Sequence, residues 1–296
     1  MTPPAVPTAP ALPADPATAP LRFRHRWEMP LVWLSALIAL GTLVFAALIL
    51  LGMATGGTGL VDQTLEEEGI DFVGYAMLLL LAPLVIFVTR FYQIAAEKAN
   101  AVRVGPEQFP ELWALYNDIA ARLGMTDPPR LYLRNGDGVI NAYALSCNKQ
   151  FNYVILHAEI AQLLAVSPQT VGFVLAHELS HHRLRHVSLM RLVVTTIVRL
   201  IPILGTSQIR AQEYSADRLA RAVCADHTST ISLLMVGPWV NGEVNHAALH
   251  RQACEEKDEW FVRLANLTSS HAVGVKRYDA LKRIDAEGFG AHGEMF

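Results

Sequence analysis

The chain has little charge and little cysteine for its length. Only 17% of its 296 residues are charged and 52% are hydrophobic, and its mean hydropathy is +0.28. This balance is too apolar for a purely soluble protein and indicates a membrane part. The formal net charge of −3 lacks the basic excess that nucleic acid requires, so we expect no nucleic acid partner. Three cysteines without a C-x-x-C pair exclude a disulfide framework and indicate reduced thiols.

The amino-terminal segment has the composition of a disordered tail. Residues 1–20 contain seven prolines and six alanines with a single charge, Asp15. Such a segment buries too little apolar surface to offset the entropy lost on ordering. We therefore predict a disordered Pro/Ala-rich tail over residues 1–28.

Two long apolar runs predict a transmembrane hairpin over residues 29–91. Leu31 to Met53 is long enough to cross a hydrocarbon core of ~30 Å, and its length argues against a cleaved signal peptide. The second run, Phe72 to Thr89, ends in a cationic and aromatic boundary at residues 90–92. The chain should therefore contact a lipid bilayer, with residues 92–296 forming one domain outside it.

The orientation of this hairpin follows from its flanking charges. Basic residues precede the first run and follow the second, namely Arg22, Arg24, Arg26, Arg90, Lys98 and Arg103. The intervening loop carries only acidic charges. Because positive flanks stay inside, we predict a multi-pass protein of the inner (cytoplasmic) membrane with its domain in the cytoplasm.

Periodicity predicts an α+β domain that is mostly helical. Apolar spacing indicates a helix over Pro110 to Leu123, and Ser167 followed by Pro168 indicates a helix start that continues to about His186. Strand-like runs lie between these helices, and we expect them to form a small antiparallel sheet: Arg130 to Leu133, Val139 to Leu145 and Tyr153 to Leu156.

A further apolar stretch, Val187 to Gly205, resembles a third membrane span. Arg191 and Arg199 would each cost roughly 2.5 to 3.5 kcal/mol near a bilayer centre, and Pro202 interrupts the end of the stretch. We therefore expect a buried or interfacial helix here.

The segment His177-Glu178-Leu179-Ser180-His181 carries the clearest chemical signal. On a helix, His177 and His181 project from one face and can reach a single cation, while Glu178 points beside it. Catalytic zinc takes three protein ligands and a water whose pKa it lowers, and Glu178 is suited to accept that water's proton. The motif predicts one Zn²⁺ per chain and a hydrolytic reaction.

The third ligand must come from another element, and Glu213 is a candidate. Asp217 is four residues further on and shares its helical face. A carboxylate in that position can accept the free ring N–H of a ligand histidine and fix its tautomer. A solvated acidic face is the alternative interpretation.

These segments together resemble metallopeptidase family forty-eight, the group of the HtpX heat-shock peptidases and the CAAX prenyl endopeptidases. The matching segments span roughly Pro106 to Leu281, namely Leu123-Gly124, Val139 to Ala144, the His177 to His181 motif, Glu213 to Asp217, and Ser270-His271 with Arg277. The pattern departs from the family at Gln212, at Ala272 and in the reduced stretch after the motif.

The resemblance implies a gluzincin-like zinc endopeptidase that acts on polypeptides and has a role in membrane-protein quality control. It implies that the zinc ligands are His177, His181 and Glu213, that Glu178 is the general base, and that Asp217 orients a ligand. It also implies that an edge strand containing Asn141, Ala142 and Tyr143 holds an extended substrate by backbone pairing.

His271 is the second catalytic candidate. A neutral or charged imidazole can donate an N–H to the oxyanion of a tetrahedral intermediate without competing for zinc. The alternative is a surface histidine in a polar stretch, with Asn141, Arg277 or a tyrosine as the donor.

The remaining histidine pairs have a different interpretation. His182 and His186 repeat the four-residue spacing, but Arg183 occupies the base position and the pair is expected to face away from His177 and His181. We expect a solvated or packed role for them.

Two rival functions remain open. One is an intramembrane site-two-type protease, disfavoured by the charges after the motif and by the polar helix around Glu213. The other is a membrane scaffold that keeps zinc for structure alone, disfavoured because base and ligands are all present. Substrate identity and oligomeric state are not encoded in any motif of the chain.

Overall fold

A computed structural model of the protein describes residues 15–55, 72–148, 150–225 and 228–295. The side chains of residues 53, 72 and 73 are not described. Within these ranges the chain is mostly helical with one four-stranded sheet. The expected α+β composition is therefore present.

The described residues form α-helices, β-strands and short 3-10 helices, and each kind is numbered from the amino terminus. The helices are α1 (Glu28–Ala54), α2 (Phe72–Ala99), α3 (Pro110–Arg122), α4 (Ala158–Ala161), α5 (Pro168–Arg183), α6 (Leu189–Arg199), α7 (Leu204–Val223), α8 (Thr228–Val236), α9 (His246–Glu256), α10 (Trp260–Thr268) and α11 (Gly274–Glu287). The strands are β1 (Val102–Arg103), β2 (Arg130–Arg134), β3 (Ala142–Ser146) and β4 (Asn152–His157). Short 3-10 helices occupy Pro20–Phe23, Gln162–Ala165 and Asn241–Glu243.

The first two helices have the length and composition of membrane spans. Segments Glu28–Gly52 and Gly74–Ala99 are long and apolar enough to cross a bilayer, and most of their apolar side chains are exposed. The two helices pack against each other. The acidic loop between the runs lies outside the described residues, which begin again at Phe72.

The segment that precedes α1 differs from the predicted disordered tail. Residues 1–14 lie outside the described part of the chain, but Phe23 is only 1% exposed and its ring meets that of Phe289 edge-on at 5.0 Å. The backbone N–H of His25 donates to Ser215 Oγ at 2.8 Å. The end of the predicted tail is therefore ordered, because Phe23 packs into a core that other elements provide.

The sheet is mixed, so the prediction of an antiparallel sheet is wrong for one pair of strands. The strand order is β1-β2-β4-β3, with β2 and β4 parallel and the other two pairs antiparallel. The hairpin between β3 and β4 folds so that β4 inserts beside β2, which puts β3 at the edge. Sequence runs give strand positions but carry no information on which strand inserts between two others.

Helices α5 and α7 form the centre of the domain. Nearly every residue from Thr170 to His181 and from Ala211 to Ala220 is buried. Helix α5 begins at Pro168 as expected and ends at Arg183, slightly earlier than predicted. Because these two helices pack on each other, side chains on their facing surfaces meet in the interior.

The chain reverses direction sharply after α5. Arg185 has a left-handed backbone (φ 60°), and the N–H of His186 donates to the carbonyl of His181 at 2.8 Å. Together with the N–H of Arg185 bonding to His182 O, this is a Schellman ending, with arginine where glycine is usual. The turn folds His186 back onto the last turns of α5.

The stretch Val187 to Gly205 forms α6 and a turn into α7. Helix α6 has 11 residues, which is too short to span a hydrocarbon core. Its buried face includes Arg191, Thr195 and Val198, and it packs along α1. This agrees with the expected buried or interfacial helix, and Arg191 is kept in the interior by an ion pair described below.

Candidate metal centre

Three side chains from α5 and α7 converge in the interior. His177 and His181 are one helical turn apart, and their Nε2 atoms are 3.1 Å from each other. Glu213 reaches across from α7, with its two oxygens 3.5 Å from His177 Nε2 and 3.4 Å from His181 Nε2. All three side chains are buried. Among the described residues, this is the one cluster of three or more possible ligands.

The spacing of these atoms fits zinc. Zinc bonds nitrogen or oxygen at about 2.0 to 2.2 Å, so two ligands of a tetrahedral ion are separated by ~3.3 Å. The three observed separations, 3.1, 3.4 and 3.5 Å, bracket that value. Two imidazoles and a carboxylate are also a donor set that zinc accepts in catalytic sites.

Asp217 and Arg277 hold the first of the histidines. Asp217 Oδ1 lies 2.8 Å from His177 Nδ1, so the ring N–H on the side away from Glu213 has an acceptor. Arg277 from α11 donates to both oxygens of Asp217, at 2.8 and 2.6 Å. This bidentate pair keeps the pKa of the buried Asp217 low despite its burial.

The cluster attracts positive charge. Burial alone would lower the pKa of His177, but the carboxylates of Asp217 and Glu213 outweigh it and raise that pKa to about 10. Burial opposes ionisation of Glu213 too, yet its contacts with His177 and His271 hold its pKa well below the usual range. A site that binds a proton this strongly also favours a cation in the same position.

Glu178 lies at the boundary between this cluster and open space. It is buried and lines a cavity of about 330 Å³ together with Asn141, Phe173 and Glu213. Burial raises the pKa of Glu178 to about 7, partly offset by His177 and Arg277. A carboxyl group with such a pKa is matched to accepting and returning protons near neutral pH.

His271 is at the same site, although it is far from the motif in sequence. Its Nδ1 lies 3.0 Å from Glu213 Oε2, and its side chain is 66% exposed. The hydrogen bond to Glu213 raises the pKa of His271. The ring therefore carries a proton more readily than a free histidine and faces the cavity that Glu178 lines.

The expectation that His182 and His186 face away from the motif histidines is wrong for His186. His186 Nδ1 is 2.9 Å from His181 Nδ1, and the ring is 2% exposed. The Schellman turn after α5 is the cause, because a simple continuation of the helix would have carried His186 elsewhere. His182 does point away, toward the backbone carbonyl of Tyr153 at 3.0 Å.

The predicted substrate strand borders the cleft. Ala142, the first residue of β3, lines the 330 Å³ cavity and a second cavity of about 220 Å³, and His177 and Glu178 line both cavities as well. Asn141 lines the first cavity and Tyr143 the second. In the described part of the chain β3 pairs with β4 alone, so its other edge has no strand partner.

The sequence does not predict two residues near this centre: His186, which contacts His181, and Glu28, which contacts His186. The arginine at the base position, Arg183, argues against a metal role for His186, and Glu28, the first residue of α1, carries no motif. No local signal marks the return of His186, because a Schellman ending is usually indicated by glycine and position 185 is arginine. For Glu28, a single carboxylate at the start of an otherwise uncharged run is the one local clue.

Two helices that present two histidines and a glutamate around a cation-sized space, with a second glutamate beside it, define a class of mononuclear zinc hydrolase site. Consistent with that class, the model of Peptidase family M48 matches residues 106–209 of the chain. The chain is thus similar to the zinc metallopeptidases of family M48, over a segment that includes the motif and ends before Glu213. No solved structure matches it.

Asp217→Asn is expected to weaken zinc binding by about 10- to 100-fold. The amide cannot offer a charged acceptor to His177 and leaves Arg277 without its carboxylate. Zinc affinity, measured by competition with a chromogenic chelator on the full chain in detergent, tests this. Asp285→Asn, which removes an ion pair with Arg221 on the far end of α7, is the matched control and should bind zinc as the unaltered protein does. Equal affinity for both variants would contradict the role given to Asp217.

Proposed function

We propose that the protein is a membrane-anchored zinc endopeptidase. The observation that carries the proposal is the set of three ligand atoms at zinc spacing, with Glu178 beside them on the wall of a cavity. The ligands are His177, His181 and Glu213, for one Zn²⁺ per chain. The similarity to family M48 supports the same reaction class.

The chemistry divides between the cation and the side chains around it. A bound zinc ion would acidify a water molecule and polarise the scissile carbonyl. The Glu178 carboxylate accepts one proton from the attacking water as the new C–O bond forms. It then returns this proton to the amide nitrogen as the C–N bond breaks, so the products are a carboxylic acid and an amine.

His271 is proposed to stabilise the oxyanion that develops on the scissile carbonyl. Its Nδ1 is directed at Glu213, which leaves the Nε2 side of an exposed ring for a substrate. Because contact with Glu213 favours the protonated ring, that nitrogen carries a hydrogen to donate. Asn141 and Arg277 line the same cavity, but Arg277 already uses its guanidinium on Asp217.

An extended polypeptide is the proposed substrate form. Within the predicted segment Asn141 to Tyr143, the free edge of β3 offers the backbone N–H and C=O of Ala142, because the Asn141 carbonyl already accepts from the N–H of His157 on β4 at 3.0 Å and antiparallel pairs alternate. A peptide that paired at this edge would run beside both cavities, which Ala142 lines. Main-chain pairing provides affinity for any extended sequence, which suits the disposal of unfolded or damaged proteins. A role in membrane-protein quality control is proposed on this basis.

Membrane anchorage is proposed for α1 and α2. Both are long and apolar enough to cross a bilayer, and their exposed apolar side chains need a nonaqueous environment. With basic residues at both outer flanks, we propose an inner-membrane protein whose catalytic domain faces the cytoplasm.

Two rival functions are less well supported. Structural zinc sites are closed by four protein ligands, whereas the described residues offer a group of three beside a cavity, which favours catalysis over a scaffold role. An intramembrane protease is disfavoured because Arg185, four residues after His181, is exposed, and an exposed guanidinium group is costly in hydrocarbon.

Glu178→Gln should retain zinc yet lose hydrolysis by a factor of roughly 10² to 10⁴ or more, because the proton acceptor is lost while the ligands stay. Fluorescein-labelled casein cleavage measures activity, and metal analysis measures zinc. Glu255→Gln, at an exposed position of α9, is the control and should keep both properties. Full activity in Glu178→Gln would rule out its role as the base.

His271→Ala should fold, bind zinc and lose mainly kcat. Removal of one oxyanion donor costs about 10² to 10³ in kcat. Steady-state kinetics on a peptide that the unaltered protein cleaves separate kcat from KM. His250→Ala, on the separate helix α9, is the control. Unchanged kcat in His271→Ala would mean that the donor is another group.

Reporter fusions test the orientation of the membrane helices. A reporter fused after Ala99 should behave as cytoplasmic, and one inserted after Thr55 should behave as external, because the basic flanks remain inside. Phosphatase and fluorescent-protein reporters give opposite signals in the two compartments. The reverse pattern would refute the proposed orientation while leaving the zinc chemistry untouched.

A further inference from the structure

His181, the second histidine of the metal site, is connected to a series of buried hydrogen-bonded side chains. His181 Nδ1 is 2.9 Å from His186 Nδ1, and His186 Nε2 is 3.2 Å from Glu28 Oε1. The side chains of His186 and Glu28 are 1% and 0% exposed. These contacts form a continuous series of hydrogen bonds from the metal site to the first residue of α1.

One arrangement of protons fits all these contacts. If His181 uses Nε2 toward the cation, its Nδ1 carries the hydrogen and donates to His186 Nδ1. His186 must then be neutral with its own hydrogen on Nε2, where it donates to the Glu28 carboxylate. Each ring nitrogen in the chain has one role, and none is left without a partner.

Glu28 is itself held from two further directions. Arg191 at the start of α6 donates to Glu28 Oε1 at 2.8 Å, and Arg24 lies 3.2 Å from the same oxygen. A buried carboxylate requires such compensation, and two guanidinium groups provide it. Glu28, the last acceptor in this series of hydrogen bonds, is therefore fixed in position and in charge.

We propose that His186 and Glu28 are positioning residues of the metal site: they fix the tautomer and ring orientation of His181, and they tie that ligand to α1. The inference rests on the proposed function, since it concerns a ligand of the proposed zinc ion. Glu28 acts through His186, and His186 acts through His181.

The two ligand histidines are then held by separate series of hydrogen bonds. Arg277 and Asp217 support His177 from α11 and α7, within the domain core. The support of His181 comes from a residue on the candidate membrane helix. Zinc affinity should accordingly depend on how α1 packs against α6 and α7.

A purely structural role for these contacts predicts a different result. The ion pairs of Glu28 with Arg24 and Arg191 could serve only to attach α1 to the domain. In that case substitutions would lower the thermal stability of the zinc-free protein and leave its zinc affinity unchanged. The two quantities must therefore be measured together on the full chain in detergent.

The test compares the buried His186 with the half-buried His182, four residues before it. His186→Ala should weaken zinc binding by about 10- to 100-fold in a chelator competition assay. His182→Ala removes a ring that bonds only to the Tyr153 carbonyl and should bind zinc as the unaltered protein does. His186→Gln, whose amide can both accept from His181 and donate to Glu28, should recover most of the lost affinity.

A double-variant cycle tests whether Glu28 acts through His186. Glu28→Gln should weaken zinc binding by about 10-fold in the unaltered background and have no further effect when combined with His186→Ala. If His186→Ala does not fold, Glu28→Gln and His186→Gln carry the test.

The outcomes are distinguishable. Zinc affinity that is unchanged in His186→Ala and Glu28→Gln, equal losses in His182→Ala and His186→Ala, or additive losses in the double variant would each overturn the inference. An unaltered protein that binds no zinc would overturn the proposed function itself, and the inference with it.

Discussion

The structure depends on bringing two imidazoles and a carboxylate within about 3.5 Å of one another inside the domain. Burying such groups without partners costs several kcal/mol each, so every one must be matched by a donor, an acceptor or a cation. Their convergence fixes how α5 and α7 face each other. It also explains why charged residues such as Asp217 and Arg277 occur in an otherwise apolar interior.

The need to match buried polar groups also explains how the amino-terminal segment is attached to the domain. His25 bonds to Ser215 on α7, and Arg218, one turn further on, donates to the carbonyl of Phe23 at 2.9 Å. Glu28 then reaches the chain behind His181. These contacts make the start of α1 part of the buried polar network around the metal site, so the candidate membrane helix and the domain share buried polar groups.

In the proposed function, the two cavities beside β3 differ in the chemistry of their lining side chains. The edge of β3 offers backbone groups that suit any extended peptide. One cavity beside it is lined by apolar residues of α5 and α8, including Phe173, Ile231 and Leu234, whereas the other includes Arg90 and Arg199. In the proposed function, discrimination between peptides would arise from the side chains of these two cavities and not from the backbone of the edge strand.

The sequence by itself determined what depends on local spacing: the two apolar helices, the helices beginning at Pro110 and Pro168, and the pairing of His177 with His181 on one face. Glu213 and Asp217 were predictable as a second helical pair, although the resemblance was needed to connect them to the first. Only the tertiary structure decided the parallel pairing of β2 with β4, the return of His186 onto His181, and the burial of Phe23 and Glu28. The physical reason is that helical periodicity is set within one turn, whereas strand order, a left-handed turn at Arg185 and contacts such as that between Glu28 and His186 depend on packing between distant segments.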